Sequence, residues 1–278
     1  MKERLLAVGW SLLFLLTGYL LAILLLQLAG RLLPIPEPNT LAAAAVETTA
    51  LLLGYGAMTW LIGVRVLHWT AADFGLSPAG PGARGFGWGL LVGGLLAGAA
   101  MLVAVPLGHA SWRDDGGGVL RWIAAILVTG AVMLPAALAE ELAFRGVPLL
   151  TLAKRFGRAP ALVALAALFS FAHADNPGVT GLALANIGLA GIFLGLAFFT
   201  PGGLWTSTGA HLGWNLTMAG LAAPVSGLAL PMPWLDYAPG RPGWLTGGGF
   251  GPEGGALATL CILGGALLAL RRRKEHSA

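Results

Sequence analysis

Charge is scarce in this sequence. Only 10% of the 278 residues are Asp, Glu, Lys or Arg, whereas 57% are hydrophobic. An ordinary soluble domain carries about 25% charged residues, so this composition excludes a soluble globular fold of the usual kind. A chain of this length with so few charges is typical of a protein embedded in a lipid bilayer.

Cysteine is almost absent as well, because Cys261 is the single residue of this type. One cysteine excludes an intramolecular disulfide framework and any zinc or iron–sulfur site built from several thiolates. The formal net charge is +4, which in a membrane protein reflects basic cytoplasmic loops rather than a polyanionic ligand. We therefore expect no nucleic-acid partner.

Long hydrophobic runs fill most of the chain. The first run, from Leu5 to Ala29, is longer than the apolar region of a signal peptide, so we interpret it as a membrane helix that the protein retains. Proline, glycine and charge separate the later runs and predict an all-α polytopic membrane protein with a single transmembrane domain over residues 1–278. The eight predicted spans are residues 5–29, 41–63, 85–107, 119–153, 159–174, 181–199, 204–222 and 254–270.

Basic residues fall unequally on the two sides of these spans. An even number of spans places both termini on one side, and the positive-inside rule then makes that side cytoplasmic. The compact, Arg-rich chain suits a bacterial inner membrane. The terminal side holds Lys2, Arg4, Arg65, Arg84, Lys154, Arg155, Arg158, Arg271, Arg272, Arg273 and Lys274, and the other side holds Arg31, Arg113, Arg121 and Arg241.

The longest external connection is residues 223–255, which are dense in Pro and Gly. Such a composition is typical of turns and irregular backbone rather than of helix or strand. We predict an irregular surface loop, which serves either as a tether or in the admission of substrate.

Polar residues within the spans gather in three of them. An ionisable group inside a bilayer is costly and marks a functional site until a partner explains it. Counted along the helices from the turns on the basic side, Glu140 and His173 lie about 21 Å deep, and His211 and Asn215 about 12 and 18 Å deep. We therefore expect one polar layer, contributed by spans four, five and seven, that opens toward the cytoplasm.

Side-chain directions separate the two adjacent acids of span four. Neighbouring residues on a helix point about 100° apart, so Glu140 and Glu141 cannot both face one small cavity. Glu141 and Arg145 are one helical turn apart, a spacing that favours an ion pair. Glu140 is then left without a partner in its own helix, in a setting that suits a general base.

The same helical spacing aims the other polar side chains. Phe169 shares a helix face with His173, as His211 does with Asn215, and Trp214 lies next to them as a lid or wall.

Two chemistries fit this set of polar residues. In one, Glu140 deprotonates a water, and His211 and Asn215 stabilise the oxyanion formed when an amide is attacked. In the other, His173, His211 and Glu140 bind zinc and leave a fourth position for water.

Two readings without proteolysis also fit the polar layer. A satisfied polar network can hold three helices together in a non-catalytic immunity or scaffold protein. Chains of carboxylates and histidines also carry protons in transporters, although the sequence has no evident inverted repeat of the kind transporters contain.

Three motifs in order resemble those of one protease family. Glu140-Glu141 with Arg145 resembles the Glu-Glu-x-x-x-Arg motif of the CPBP family, the CAAX prenyl endopeptidases and bacteriocin-processing proteins. Phe169 to His173 is similar to its Phe-x-x-x-His motif, and His211 to Asn215 is similar to its His-x-x-x-Asn motif. The resemblance covers a core of about residues 119–222 and leaves residues 1–118 and 254–272 as accessory helices.

The resemblance implies an intramembrane endopeptidase that cuts a membrane-associated peptide or protein, including prenylated C-terminal peptides, near the cytoplasmic leaflet. Carried over to this sequence, it implies that Glu140 activates water, His173 positions it, and His211 with Asn215 forms the oxyanion site. It makes Glu141 and Arg145 supporting residues. The lipid bilayer and the membrane-bound substrate are the partners expected. The cofactor is either zinc or none, and the oligomeric state is left open.

Overall fold

The computed structural model describes residues 1–32, 34, 36–37, 40–76 and 78–275. Almost all regular structure in these residues is helical, with two π-helical segments at Thr59–Val66 and Pro78–Gly82 and two 3-10 turns at Gly248–Phe250 and Pro252–Gly254. The α-helices are α1 Lys2–Leu32, α2 Leu41–Met58, α3 Ala83–Leu102, α4 Val119–Arg145, α5 Val147–Phe156, α6 Arg158–Phe171, α7 Gly181–Phe198, α8 Leu204–Gly220, α9 Gly243–Thr246 and α10 Ala256–Glu275.

Five helical stretches are long and apolar enough to cross a bilayer, which agrees with a polytopic membrane protein. The predicted count of eight stays a prediction. Helix α6 has 14 residues and therefore measures about 21 Å, less than the roughly 30 Å of a hydrocarbon core. The five stretches are Lys2–Leu32, Leu41–Val66, Gly80–Leu102, Val119–Phe156 and Gly181–Phe198.

The predicted fourth span is divided into two helices at Gly146. This residue has φ −75° and ψ −123°, outside the helical region, and a Cβ there would lie 2.4 Å from the Leu142 carbonyl oxygen. Glycine is therefore required at the break. Pro148 stands in the first turn of α5, where its missing N–H costs no helical hydrogen bond. The change of direction lets α5 pack on α1, where the Ser11 and Thr151 hydroxyls are 2.9 Å apart.

Two opposite faces of the helical bundle are defined by contacts between loops. One, which we call the basic face, comprises the start of α1, residues 59–76, 78–82, 154–158 and 199–203, and the end of α10. Here Arg155 Nη1 lies 2.6 Å from Glu3 Oε2, Leu204 N donates to Phe74 O, and Arg272 stacks on Trp88. The face carries most of the basic residues named above.

The other face, which we call the strand face, contains a feature that the sequence did not predict. Strand β1, Ala110–Asp114, pairs antiparallel with β2, Leu235–Pro239. The Trp112 and Trp122 indoles donate to the carbonyl oxygens of Leu221 and Gly220 at the end of α8. Residues 172–180 and 223–255 complete this face.

Residues 223–255 were predicted to be an irregular surface loop. In the structure they pack back onto the bundle. Phe250 is 1% exposed, and its carbonyl oxygen accepts a hydrogen bond of 2.9 Å from Gly227 N. Asn176, beyond the end of α6, donates through Nδ2 to Ser226 O. The prediction failed because these contacts join residues far apart in the sequence.

Helices α3 and α8 pack with their backbones in contact. A Cβ at Gly89 would lie 2.2 Å from Thr206 O, and one at Gly93 would lie 2.0 Å from Ala210 O. From the other side, a Cβ at Gly213 would lie 2.2 Å from Leu90 O. Small residues permit such approach in membrane helices, and here they fix the helix that carries His211.

Candidate active site

A buried ion pair joins α4 to α8. Glu141 is fully buried, and its Oε1 accepts from Arg145 Nη1 at 3.0 Å and from His211 Nδ1 at 2.9 Å. Arg145, 3% exposed, also donates through Nη2 to the Gly191 carbonyl oxygen. The predicted pairing of Glu141 with Arg145 is therefore present. Because a carboxylate only accepts, the hydrogen of the imidazole lies on Nδ1 and the ring is held with Nε2 facing away from Glu141.

Phe169 on α6 lies at the centre of the predicted residues. Its ring centroid is 4.6 Å from the Arg145 guanidinium carbon, 4.7 Å from the His173 ring and 6.2 Å from the His211 ring. A guanidinium over an aromatic face is attractive, and more so away from water. Phe169 thus holds the three motifs together through packing.

Glu140 points into a different environment from its neighbour Glu141. Its side chain is 36% exposed, and Oε2 lies 3.8 Å from His211 Nε2. That oxygen is buried and has no hydrogen-bond partner among the described residues. A separation of 3.8 Å is too long for a direct hydrogen bond and matches two groups that share a small molecule between them.

The sequence placed His173 inside the fifth predicted span. In the structure it lies beyond the end of α6. Helix α6 ends at Phe171, and the His173 Nδ1 is 2.8 Å from the Phe169 carbonyl oxygen. Because a carbonyl accepts, Nδ1 carries the hydrogen and Nε2 is left as the acceptor. The site is therefore formed by α4, α8 and the turn after α6.

Two cavities meet at these side chains. The larger is a groove of about 450 Å³ whose walls include Tyr19 of α1, Tyr55 of α2 and Glu140 of α4. The smaller is a pocket of about 40 Å³ whose walls include Phe193 of α7 and Ile262 of α10. Four residues line both cavities, namely His173, His211, Asn215 and Ser226.

The groove extends toward the strand face. Its lining includes Asn176, Val225, Ser226, Leu228 and Leu230, all from strand-face segments, and within the described residues none of its lining comes from the basic face. The expectation that the polar layer opens toward the basic side is therefore wrong. The error came from counting depth along ideal straight helices, since α6 ends before His173 and α4 breaks after Arg145.

A comparison with known protein families gives a match. Residues 121–217 match the family model described as type II CAAX prenyl endopeptidase Rce1-like. We call these residues the Rce1-like segment, because they are similar to this family. The resemblance seen in the three motifs is thereby confirmed for about a third of the chain. A search of curated proteins found no match, and a search of solved structures found none.

The Rce1-like segment contains Glu140, Glu141, Arg145, His173, His211 and Asn215, and the structure brings all six to one region. Phe169 and Trp214 lie there too. Trp214 forms part of the pocket wall, one of the two positions expected for it.

The residues of the Rce1-like segment are not arranged as a zinc site. Catalytic zinc needs three protein ligands and an open fourth position. Among the described residues, no three His, Cys, Asp or Glu side chains are grouped so that they could hold a metal ion. The predicted set of His173, His211 and Glu140 is thus not gathered as ligands, and we derive no step through a metal.

Two polar residues next to the site were missed. Asn186 on α7 donates through Nδ2 to the Glu253 and Gly255 carbonyl oxygens, at 2.7 and 2.9 Å. Glu253, beyond the Rce1-like segment, accepts from the Trp214 indole at 3.0 Å. An amide inside an apolar span was a signal for Asn186. Glu253 had no such signal, because it lies in the Pro- and Gly-rich connection.

Proposed function

We propose that this protein is an intramembrane endopeptidase that hydrolyses a peptide bond in a membrane-associated peptide or protein. The observation that carries the proposal is the pair formed by Glu140 Oε2 and His211 Nε2, 3.8 Å apart on the wall of the groove. A water held between them would satisfy the buried carboxylate oxygen, which otherwise costs free energy.

In the proposed reaction, Glu140 takes a proton from this water as the oxygen forms a bond to the carbonyl carbon of the substrate. The carbonyl electron pair moves onto oxygen, and the oxyanion accepts hydrogen bonds from the Asn215 amide and from Nε2 of the His211 ring, which carries a hydrogen on both nitrogens in this step. When the carbon–nitrogen bond breaks, Glu140 returns the proton to the leaving amine. His173 accepts through Nε2 and positions the water.

Glu141 and Arg145 act on the reaction through His211. The hydrogen bond from Nδ1 to Glu141 fixes which ring nitrogen faces the groove, as the carboxylate does in other histidine-dependent hydrolases. Arg145 in turn holds Glu141 and is itself held by the Gly191 carbonyl oxygen. These two residues therefore orient the ring and do not touch the substrate.

The groove supports a membrane-associated substrate. Its lining includes apolar side chains of α2 and α4, among them Leu41, Leu51 and Met133. Helix α1 presents many exposed leucines, and α2 presents Val46 and Leu53, as expected of surfaces that face lipid. We propose that an apolar part of the substrate lies in the groove against α2 and α4. We also propose that both termini lie in the cytoplasm of a bacterial cell, from the bias of Lys and Arg.

The test is Glu140→Gln, assayed for cleavage of a membrane-delivered reporter peptide in proteoliposomes. We expect activity to fall by about 10²–10⁴-fold, the usual contribution of a general base, with normal expression and thermal stability. Glu47→Gln is the matched control, since Glu47 is an exposed acid on α2 outside the groove. Unchanged turnover in Glu140→Gln would refute the proposal. Metal analysis of the same samples distinguishes the reaction above, which survives chelation, from a zinc-dependent one.

A further inference from the structure

Glu253 lies against the site without belonging to any of the three motifs. It occupies the 3-10 turn Pro252–Gly254 just before α10, and Asn186 on α7 holds its carbonyl oxygen. The Asn186 side-chain oxygen accepts from the Thr259 hydroxyl at 2.7 Å. Glu253 is thus fixed in place by two helices, independently of what its own side chain does.

The Glu253 carboxylate joins two parts of the site. Oε1 accepts from Trp214 Nε1 at 3.0 Å, and Oε2 accepts from the Ser226 amide at 2.5 Å and from the Ser226 hydroxyl at 2.9 Å. Three donors on one carboxylate make a strong set, because hydrogen bonds to a charged group are shorter and stronger than neutral ones.

Ser226 needs such support. Its φ is +50°, in the left-handed region that residues other than glycine rarely adopt. Its amide is held by Glu253, and its carbonyl oxygen accepts from Asn176 at 2.9 Å. Strained backbone persists only where neighbouring groups determine it, and it occurs preferentially at functional sites.

Trp214 depends on Glu253 as well. Its side chain is 8% exposed, and its indole N–H would be buried without an acceptor if the carboxylate were lost. Trp214 stands between His211 and Asn215 in the sequence, on the wall of the pocket, and Ser226 lines both cavities. The two side chains held by Glu253 are therefore parts of the wall where groove and pocket meet.

We infer that Glu253 is a positioning residue, whose carboxylate fixes Trp214 and Ser226 as the wall against which the substrate lies beside His211 and Asn215. This inference rests on the proposed peptidase function. It makes residues 223–255 part of the active site rather than a tether, and it extends the site beyond residues 121–217.

The test compares Glu253→Gln with wild type in the proteoliposome assay. Trp214 donates to one carboxylate oxygen and Ser226 to the other. An amide replaces one of these oxygens by an NH₂ donor, so in the same geometry one of the two residues loses its acceptor. Since the wall contacts substrate and not the water, we expect KM to rise about tenfold or more and kcat to stay within about threefold. Asp236→Asn, an exposed acid of the same segment, is the matched control and should keep the wild-type KM.

Two further measurements keep the inference falsifiable. Trp214→Phe and Ser226→Ala each remove one arm of the contact, and we expect each to raise KM by less than Glu253→Gln, with no further rise when Trp214→Phe is added to Glu253→Gln. Hydrogen exchange of residues 223–255 should become faster in Glu253→Gln. Because that readout needs no turnover, it also holds if the peptidase proposal itself fails.

A wild-type KM in Glu253→Gln would overturn the inference, as would independent effects of Glu253→Gln and Trp214→Phe. If Glu253→Gln does not fold, a normal KM in both Trp214→Phe and Ser226→Ala would overturn it instead. A fall in kcat alone, at unchanged KM, would do so as well, because it would assign Glu253 to the chemistry.

Discussion

Replacing Glu141 by Gln tests whether the buried pair stabilises the fold as well as orienting His211. Arg145 and Glu141 are 3% and 0% exposed, so solvent screens their attraction little. Removing one member of a buried pair costs about 3–5 kcal/mol. Gln keeps one acceptor oxygen, and Arg145 keeps its hydrogen bond to Gly191 O, so we expect the lower end of this range, about 3 kcal/mol.

For a chain of this size, about 3 kcal/mol corresponds to a fall in Tm of about 6–12 °C, measurable from tryptophan fluorescence in detergent. The control is Glu3→Gln, which breaks a pair of the same chemistry at the surface. Arg155 and Glu3 are 48% and 69% exposed, and such pairs contribute about 0–1 kcal/mol. Equal Tm shifts in the two variants would refute the reasoning, because burial would then have no effect on the pair.

Two other predictions concern the helix packing behind the site and the membrane topology. Gly93→Ala should destabilise the protein by about 1–3 kcal/mol and reduce turnover, because its Cβ would lie 2.0 Å from Ala210 O, next to His211. Gly87→Ala on the same helix has open space around its Cβ, so it should be close to neutral in the same thermal melt; equal losses in both would contradict the packing argument. Reporter fusions after Asp115 and at the C-terminus should report opposite sides of the membrane, the latter cytoplasmic; activity on one shared side would contradict the topology.

Local sequence patterns predicted most helices but not their interruptions. Apolar runs place α1, α3 and α7 close to their predicted limits, because membrane helices follow directly from apolar length. The break at Gly146 was not predicted, since the run stays apolar through it and the non-helical backbone of this one residue leaves no mark on that pattern. Strands β1 and β2 were missed because they are far apart in the sequence.

Sequence spacing predicted those contacts of the site that lie within one turn of a single helix. The spacing of Glu141 and Arg145 gave their ion pair, and the divergence of Glu140 from Glu141 gave their separate environments. The hydrogen bond from His211 to Glu141 and the contacts of Glu253 could not be predicted, since both depend on how separate segments pack.

The glycine contact between α3 and α8 bears on how such a protein can be divided. Residues 121–217 carry the recognisable motifs, yet the helix bearing His211 rests, backbone against backbone, on a helix encoded some thirty residues before that stretch begins. A chimera that contains only the motif-bearing residues would lack α3, the helix against which the His211 helix packs. The smallest exchangeable unit therefore begins no later than Ala83.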